Sequence, residues 1–181
     1  MLFRSMAQMP DNIKGAMLTC ILSDTLEFRS PTTTQEDKAI AWSLAESLGV
    51  GIATYAAQMF AAKSDVSSFS EAELLRMDSK EYEVGGKQFR VSVLETTSPA
   101  TVLDRKDALM AAMPAVASED GADQVLLFVV DILNEEATML IPNELSKSVA
   151  EKSFGATVTG DTVVLPGIMS RKKQIIPFLK V

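Results

Sequence analysis

The sequence contains no histidine, and its formal net charge is −7. Without histidine the chain cannot by itself complete a Ser-His-Asp triad or a metal site that includes an imidazole ligand. Nucleic-acid binding draws its affinity from clustered Lys and Arg side chains that release phosphate counterions, so the acidic balance argues against a nucleic-acid partner. An anionic ligand would therefore have to meet a local cluster of cations.

Cysteine and long apolar runs are also scarce. The single cysteine, Cys20, cannot form an intrachain disulfide, and the apolar residues around it predict a buried structural thiol rather than a nucleophile. No stretch reaches the length of about 20 apolar residues that a membrane-spanning helix needs, so no membrane partner is expected. Residues 1–10 show no secretory leader, which makes the cytoplasm the expected location.

Apolar residues at helical spacing fill the first third of the chain. They predict helices over residues 10–24 and 52–62. Between them a helix is expected that begins at a capping box formed by Thr33 and Glu36 and stops at Gly49. No strand is expected in this part of the sequence.

The composition changes character after this helical segment. The polar, serine-rich residues 63–68 predict a linker. A second capping box, formed by Ser70 and Glu73, then opens a short helix. The chain is therefore expected to consist of a helical segment, residues 1–62, and a separate domain, residues 69–181.

The second domain is predicted to be of the α/β class. A hairpin is expected around Gly85-Gly86, a fully buried central strand over residues 125–133 and a closing strand over Gln174–Leu179. Pro114 is expected to kink or shorten a helix. Further helices are predicted over residues 100–118 and 143–153, and further strands over residues 137–141, 157–158 and 163–165. Because hairpins alternate with strands linked through helices, the expected architecture is a mixed β-sheet with packed helices.

Three consecutive cations, Arg171, Lys172 and Lys173, follow Ser170 at the start of the predicted closing strand. An Arg side chain can match two oxygens of a tetrahedral anion, and a Lys side chain adds a point charge. The loop is therefore a candidate oxyanion site. A solvated basic edge that discourages sheet-to-sheet aggregation would show the same pattern.

Three blocks of the sequence resemble, in the same order, one known family. The blocks are Cys20–Thr32, Leu127–Asn134 and Val163–Pro177. They are similar to the end of the DHH domain, the central strand of the DHHA2 domain and the closing motif of the DHHA2 domain in manganese-dependent (family II) inorganic pyrophosphatases. The resemblance implies that residues 1–62 are the helical tail end of a DHH domain and that residues 69–181 are a DHHA2 substrate-binding domain.

The resemblance also implies roles for four residues. Arg171 and Lys172 match the family's pyrophosphate-binding pair, Lys80 matches a third substrate lysine, and Asp24 matches a metal-binding aspartate. Without the resemblance, the spacing favours an exposed strand-edge lysine for Lys80. Asp24 could simply be the polar end of a helix, although the helix dipole opposes a carboxylate there and mildly favours a functional reason. The implied cofactor is Mn²⁺, with Co²⁺ or Mg²⁺ as alternatives. Its site is expected to be incomplete, since the family's histidines are absent from this sequence.

The implied function is the hydrolysis of pyrophosphate to two phosphates by a full-length enzyme. This chain would be its substrate-binding part, inactive alone and without a catalytic residue of its own. Its expected partners are pyrophosphate and the missing DHH domain, and the resemblance allows a homodimer of the full-length enzyme. Two alternatives stay open: a fragment of an exopolyphosphatase-type phosphoesterase, and a non-catalytic module that binds pyrophosphate or a nucleotide.

Overall fold

The computed structural model describes residues 9–181. The predictions for residues 1–8, which are the lack of a leader and the start of the helical segment, lie outside the described residues. The chain divides into two compact units, the first ending at Lys63 and the second comprising Ser64–Val181. Between residues 9 and 181 no helix combines the length and the apolar character needed to cross a membrane.

The described part of the first unit is helical, as predicted. Its helices are α1 (Asp11–Thr25), α2 (Gln35–Leu48) and α3 (Ile52–Lys63). The capping box of α2 lies one residue later than predicted. The Thr34 hydroxyl accepts a hydrogen bond from the Asp37 N–H, and the Asp37 carboxylate accepts one from the Thr34 N–H. Gly49 stops α2 as predicted, with a left-handed φ of 65°.

Cys20 is exposed, so the prediction of a buried thiol is wrong. The buried positions of α1 include Leu18 and Leu22. Residue 20 lies two positions from each of them, which is about 200° around an α-helix with 3.6 residues per turn. The side of α1 that carries Cys20 therefore points away from the side that packs into the core.

The second unit is a mixed five-stranded sheet with helices, which confirms the predicted α/β class. Its elements in chain order are α4 (Glu71–Met77), β1 (Ser79–Val84), β2 (Lys87–Thr96), α5 (Ala100–Leu103), α6 (Lys106–Glu119), β3 (Gln124–Asp131), β4 (Glu136–Leu140), α7 (Glu144–Phe154) and β5 (Thr162–Pro166). The strand order is β1-β2-β3-β4-β5. Strands β2 and β3 run parallel, and the other neighbours are antiparallel.

Strand β3 is the predicted sheet centre, and all 8 of its residues are buried. Because side chains alternate along a strand, Val125, Leu127 and Val129 share one face, where they join the core cluster with residues of α4 and α6. Phe128 points to the other face, where its ring meets the ring of Phe154 in α7 with centroids 6.0 Å apart. Helices thus cover both faces of the sheet.

Strands β1 and β2 form the predicted hairpin. Gly85 and Gly86 have φ values of 59° and 75°, which a two-residue hairpin turn of this kind requires. Lys80 pairs with Val91 of β2 and therefore lies on β1, an outer strand of the sheet.

The predicted closing strand over Gln174–Leu179 is wrong. The segment instead forms a π-helical turn, Arg171–Ile175, and a 3₁₀ turn, Ile176–Phe178. The Ser170 carbonyl accepts hydrogen bonds from the N–H groups of Gln174 at 2.8 Å and Ile175 at 3.1 Å. Pro177 has no N–H group to donate to a neighbouring strand. These local bonds replace the expected strand pairing.

Two further expectations in this unit are corrected by the structure. Residues 157–158 lie outside the sheet, and the helix predicted over residues 100–118 is interrupted between α5 and α6. Pro114 lies inside α6, which continues to Glu119 instead of ending early. Pro114 is exposed, so water can satisfy the carbonyl that it leaves without an N–H partner.

Candidate functional site beside the outer strand

The loop before the π-helical turn is shaped by the side chain of Gln174. Its amide oxygen accepts hydrogen bonds from the N–H groups of Met169 and Ser170, each at 3.0 Å. Its amide nitrogen donates to the Gly167 carbonyl at 2.6 Å. One side chain therefore ties together three points of the backbone just before Arg171.

Arg171 is held against the start of β1. Its Nη1 donates to the backbone carbonyl of Asp78 at 2.8 Å, and its Nη2 donates to Asp78 Oδ1 at 2.7 Å. The Arg171 side chain is only 14% exposed. Asp78 precedes Lys80 by two residues, about 7 Å of extended chain. The contact therefore brings the basic loop close to the strand that carries Lys80.

Lys80 and Lys172 differ from Arg171 because their ammonium groups are exposed. Within residues 9–181 neither ammonium takes part in a hydrogen bond or an ion pair, whereas Lys173 does have a partner. Asp78 uses two of the five N–H donors of the Arg171 guanidinium, which leaves three for another acceptor. The site thus offers one oriented guanidinium and two ammonium groups.

A network of ion pairs fixes the strand that carries Lys80. Asp120, at the end of α6, lies 3.1 Å from Arg76 Nε and 2.6 Å from Arg90 Nε. Arg90 also donates to Ser79 Oγ at 2.6 Å and to Glu81 Oε1 at 2.5 Å, one residue on either side of the candidate lysine. Hydrogen bonds from Arg76, together with the charge of Arg90, hold the pKa of Asp120 below its usual range.

Asp24 lies in the first unit, exposed in the last turn of α1. The residues that follow α1, Leu26, Glu27 and Phe28, have left-handed φ values of 50°, 51° and 70°. This conformation costs a residue other than glycine about 1–2 kcal/mol, and such strain is concentrated at functional sites. The sequence patterns of this segment do not predict such a turn.

The described residues do not fit a complete manganese centre. Between residues 9 and 181 there is no group of three or more His, Cys, Asp or Glu side chains that could hold a metal ion. The full sequence has no histidine. The metal role of Asp24 therefore stays a prediction.

The second unit is an α/β domain that presents three basic side chains beside an outer strand. A group of hydrogen-bond donors with this chemistry suits a multiply charged anion. The chain belongs to the DHHA2 family, since the sequence model of the DHHA2 domain matches residues 57–181. Lys80, Arg171 and Lys172 lie inside the matched range, and Asp24 lies before it.

Comparison with known proteins gives relatives that are longer than this chain. Two carry the name "Probable manganese-dependent inorganic pyrophosphatase". The one from Lactobacillus johnsonii is 36% identical over 94% of this chain and 55% of its own length. The one from Deinococcus radiodurans is 45% identical over 91% of this chain and 54% of its own length. The chain thus spans about half the length of the curated relatives it matches.

A solved structure shares the fold. It is a chain from Methanococcus jannaschii whose description gives family II inorganic pyrophosphatase as a provisional assignment. It has a TM-score of 0.79 and 33% sequence identity, and the match covers 92% of this chain and 54% of that chain. The family resemblance inferred from three sequence blocks is therefore confirmed.

Of the four predicted site residues, three lie in one part of the second unit and Asp24 lies in the first unit. Their roles stay predictions. Sequence reasoning missed Asp78, although this acid stands two residues before Lys80. It also missed Gln174, whose pattern of three backbone contacts becomes visible only in the folded loop.

Proposed function

We propose that this chain is the substrate-binding part of a metal-dependent inorganic pyrophosphatase, which hydrolyses pyrophosphate to two phosphates. The observation that carries the proposal is the contact between Arg171 and Asp78, because it places the basic loop beside the strand of Lys80. The names of the relatives support the choice of pyrophosphate.

The three cations have the chemistry that a pyrophosphate ligand needs. The planar guanidinium of Arg171 can donate two parallel hydrogen bonds to one phosphate group, and the ammonium groups of Lys80 and Lys172 can each approach a different oxygen. Each hydrogen bond to an ionised group contributes about 1.5–3 kcal/mol. The proposed role is to bind the substrate and to stabilise the charge that develops on the phosphoryl group in the transition state.

The described residues contain no group of three or more His, Cys, Asp or Glu side chains that could hold a metal ion, so we propose that the chain alone does not hydrolyse pyrophosphate. Further metal ligands would come from a DHH domain, on the same longer polypeptide or on a separate one. Mn²⁺ is the proposed cofactor, since the relatives are named as manganese-dependent, and Co²⁺ and Mg²⁺ are the alternatives to compare. The cytoplasmic location and the homodimer stay predictions.

The test is phosphate release from pyrophosphate in the presence of Mn²⁺. The chain is assayed alone and after mixing with the part of the Deinococcus radiodurans relative that lies outside its match to this chain. We expect no release by the chain alone, release by the mixture, and about a ten- to hundredfold loss of kcat/KM with Arg171→Ala. Robust hydrolysis by the chain alone would contradict the proposal.

A matched pair of lysine variants tests whether the site is specific. Lys80→Ala should weaken the activity of the mixture, whereas Lys87→Ala, which removes the same charge from β2 of the same hairpin, should not.

Parallel assays with longer polyphosphates separate a pyrophosphatase from an exopolyphosphatase-type enzyme. An inactive mixture whose chain still binds pyrophosphate would favour the non-catalytic module.

A further inference from the structure

Asp78 accepts both of the hydrogen bonds that hold the Arg171 guanidinium. It is not itself one of the three cations proposed to bind the ligand. We propose that Asp78 is a positioning residue, which orients the Arg171 guanidinium for the anionic ligand. This inference rests on the proposed function, because the ligand is taken to be pyrophosphate.

The geometry of the contact fixes the guanidinium in two directions. Two different terminal nitrogens of Arg171 donate to two different oxygens of Asp78, at 2.8 Å and 2.7 Å. Two bonds of this kind fix the plane of the group as well as its position, since the guanidinium is planar and rigid. The three remaining N–H donors then keep a constant direction.

Asp78 is itself firmly placed. Its carbonyl also accepts a hydrogen bond from the Val93 N–H of β2 at 2.9 Å, and the residue caps the end of α4. The contact joins segments that are 93 residues apart in the sequence. Asp78 therefore sets the position of Arg171 relative to Lys80, which follows two residues later on β1.

A guanidinium that is ordered before the ligand arrives loses less conformational entropy on binding. The opposite effect is also present, because a carboxylate next to an anion site repels the ligand. The two effects predict opposite changes in the affinity for pyrophosphate when the Asp78 charge is removed. A positioning role predicts weaker binding, whereas a purely electrostatic role predicts tighter binding.

The experiment measures pyrophosphate binding to the 181-residue chain by calorimetry. Asp78→Asn keeps the size of the side chain and the backbone carbonyl but removes the charged acceptor. We expect about two- to tenfold weaker binding, because the Arg171 side chain must then be ordered when the ligand binds. The control is Asp104→Asn, which removes the same charge at an exposed position without a side-chain partner in residues 9–181. Binding by the control should be unchanged or slightly tighter.

A double variant separates positioning from general damage to the fold. If Asp78 acts through Arg171, Asp78→Asn should cause no further loss of pyrophosphate binding in a chain that already carries Arg171→Ala, and removal of its negative charge should at most tighten binding slightly. Unchanged or tighter binding by Asp78→Asn alone would overturn the inference. An additional loss in the Arg171→Ala background would do the same.

A second measurement does not depend on pyrophosphate. In ¹⁵N spectra of the arginine side chains, the Nη protons of Arg171 should be protected from exchange in the unmodified chain and should lose that protection in Asp78→Asn. Equal protection in both chains would overturn the inference whatever the ligand. Loss of protection combined with unchanged pyrophosphate binding by Arg171→Ala would instead contradict the proposed function and leave the positioning contact in place.

Discussion

At the scale of single residues, Lys172 is an exposed residue of the basic loop whose ammonium has no partner within residues 9–181. Its neighbour Arg171 is almost buried and is held by Asp78. A long, exposed side chain of this kind contributes little to folding, and its charge remains available to a ligand. The two neighbours should therefore respond differently to substitution.

We expect Lys172→Ala to weaken pyrophosphate binding by about tenfold, since one charge-assisted hydrogen bond is lost. The thermal unfolding midpoint should stay unchanged, because the ammonium has no partner to lose. Calorimetry and a thermal melt check the two results. Lys152→Ala is the control, an exposed lysine in the last turn of α7. Equal losses in the two variants would mean that only net charge matters.

At the scale of elements, the loop before the π-helical turn depends on the side chain of Gln174. We expect Gln174→Ala to raise the rate of backbone hydrogen exchange over residues 167–171 at least tenfold, because two N–H groups and one carbonyl lose their partner. Hydrogen exchange read by mass spectrometry checks this. Gln174→Glu keeps the two acceptor contacts and should have a smaller effect. Equal exchange in all three chains would show that the turn is held by its backbone alone.

The outer strand β1 depends in turn on Asp120. Replacing Asp120 with Asn should lower the free energy of unfolding by about 1–2 kcal/mol at neutral pH, since Arg76 loses a charged hydrogen-bond acceptor and Arg90 loses an ion-pair partner. Denaturant titration gives the value, and Asp104→Asn is the control with the same loss of charge. A difference near zero would mean that the network contributes nothing to stability.

The same variant has a predicted pH dependence. The pKa of Asp120 is lowered in the folded protein from an ordinary value of 3.8, chiefly by hydrogen bonds from Arg76. The stabilisation is therefore fully present above pH 3.8 and is lost as the pH falls through the lower, folded-state value. We expect the stability difference between the unmodified chain and Asp120→Asn to shrink below that pH. A difference that grows on acidification would contradict the assignment.

At the scale of the whole molecule, the second unit has its own sheet, helices and core, whereas the described part of the first unit is three helices. We expect the segment Ser64–Val181 to fold alone and to bind pyrophosphate with an affinity within about threefold of the whole chain, because all three candidate cations lie in it. Circular dichroism and calorimetry check this. A Ser64–Val181 chain without cooperative unfolding would show that the first unit is needed for the second to fold.

Particular residues show where prediction from the sequence worked. The continuous apolar run of β3 predicts a strand buried on both faces, and the two glycines at positions 85 and 86 predict a hairpin turn, because both signals are local. The segment Gln174–Leu179 is also largely apolar, but it forms helical turns. There the hydrogen bonds to Ser170 and the lack of an N–H group on Pro177 outweigh the strand propensity.

The sequence by itself determined the α/β class, the family and the four candidate residues, because hydrophobic periodicity, turn residues and matched blocks are properties of short stretches. Only the tertiary structure decided that Arg171 meets Asp78, that Cys20 is exposed and that residues 9–181 hold no group of three or more His, Cys, Asp or Glu side chains that could bind a metal ion. These facts depend on which distant segments approach each other and on the side of a helix that faces the core. A contact across 93 residues is set by the packing of the sheet and its closing turn, which no local pattern specifies.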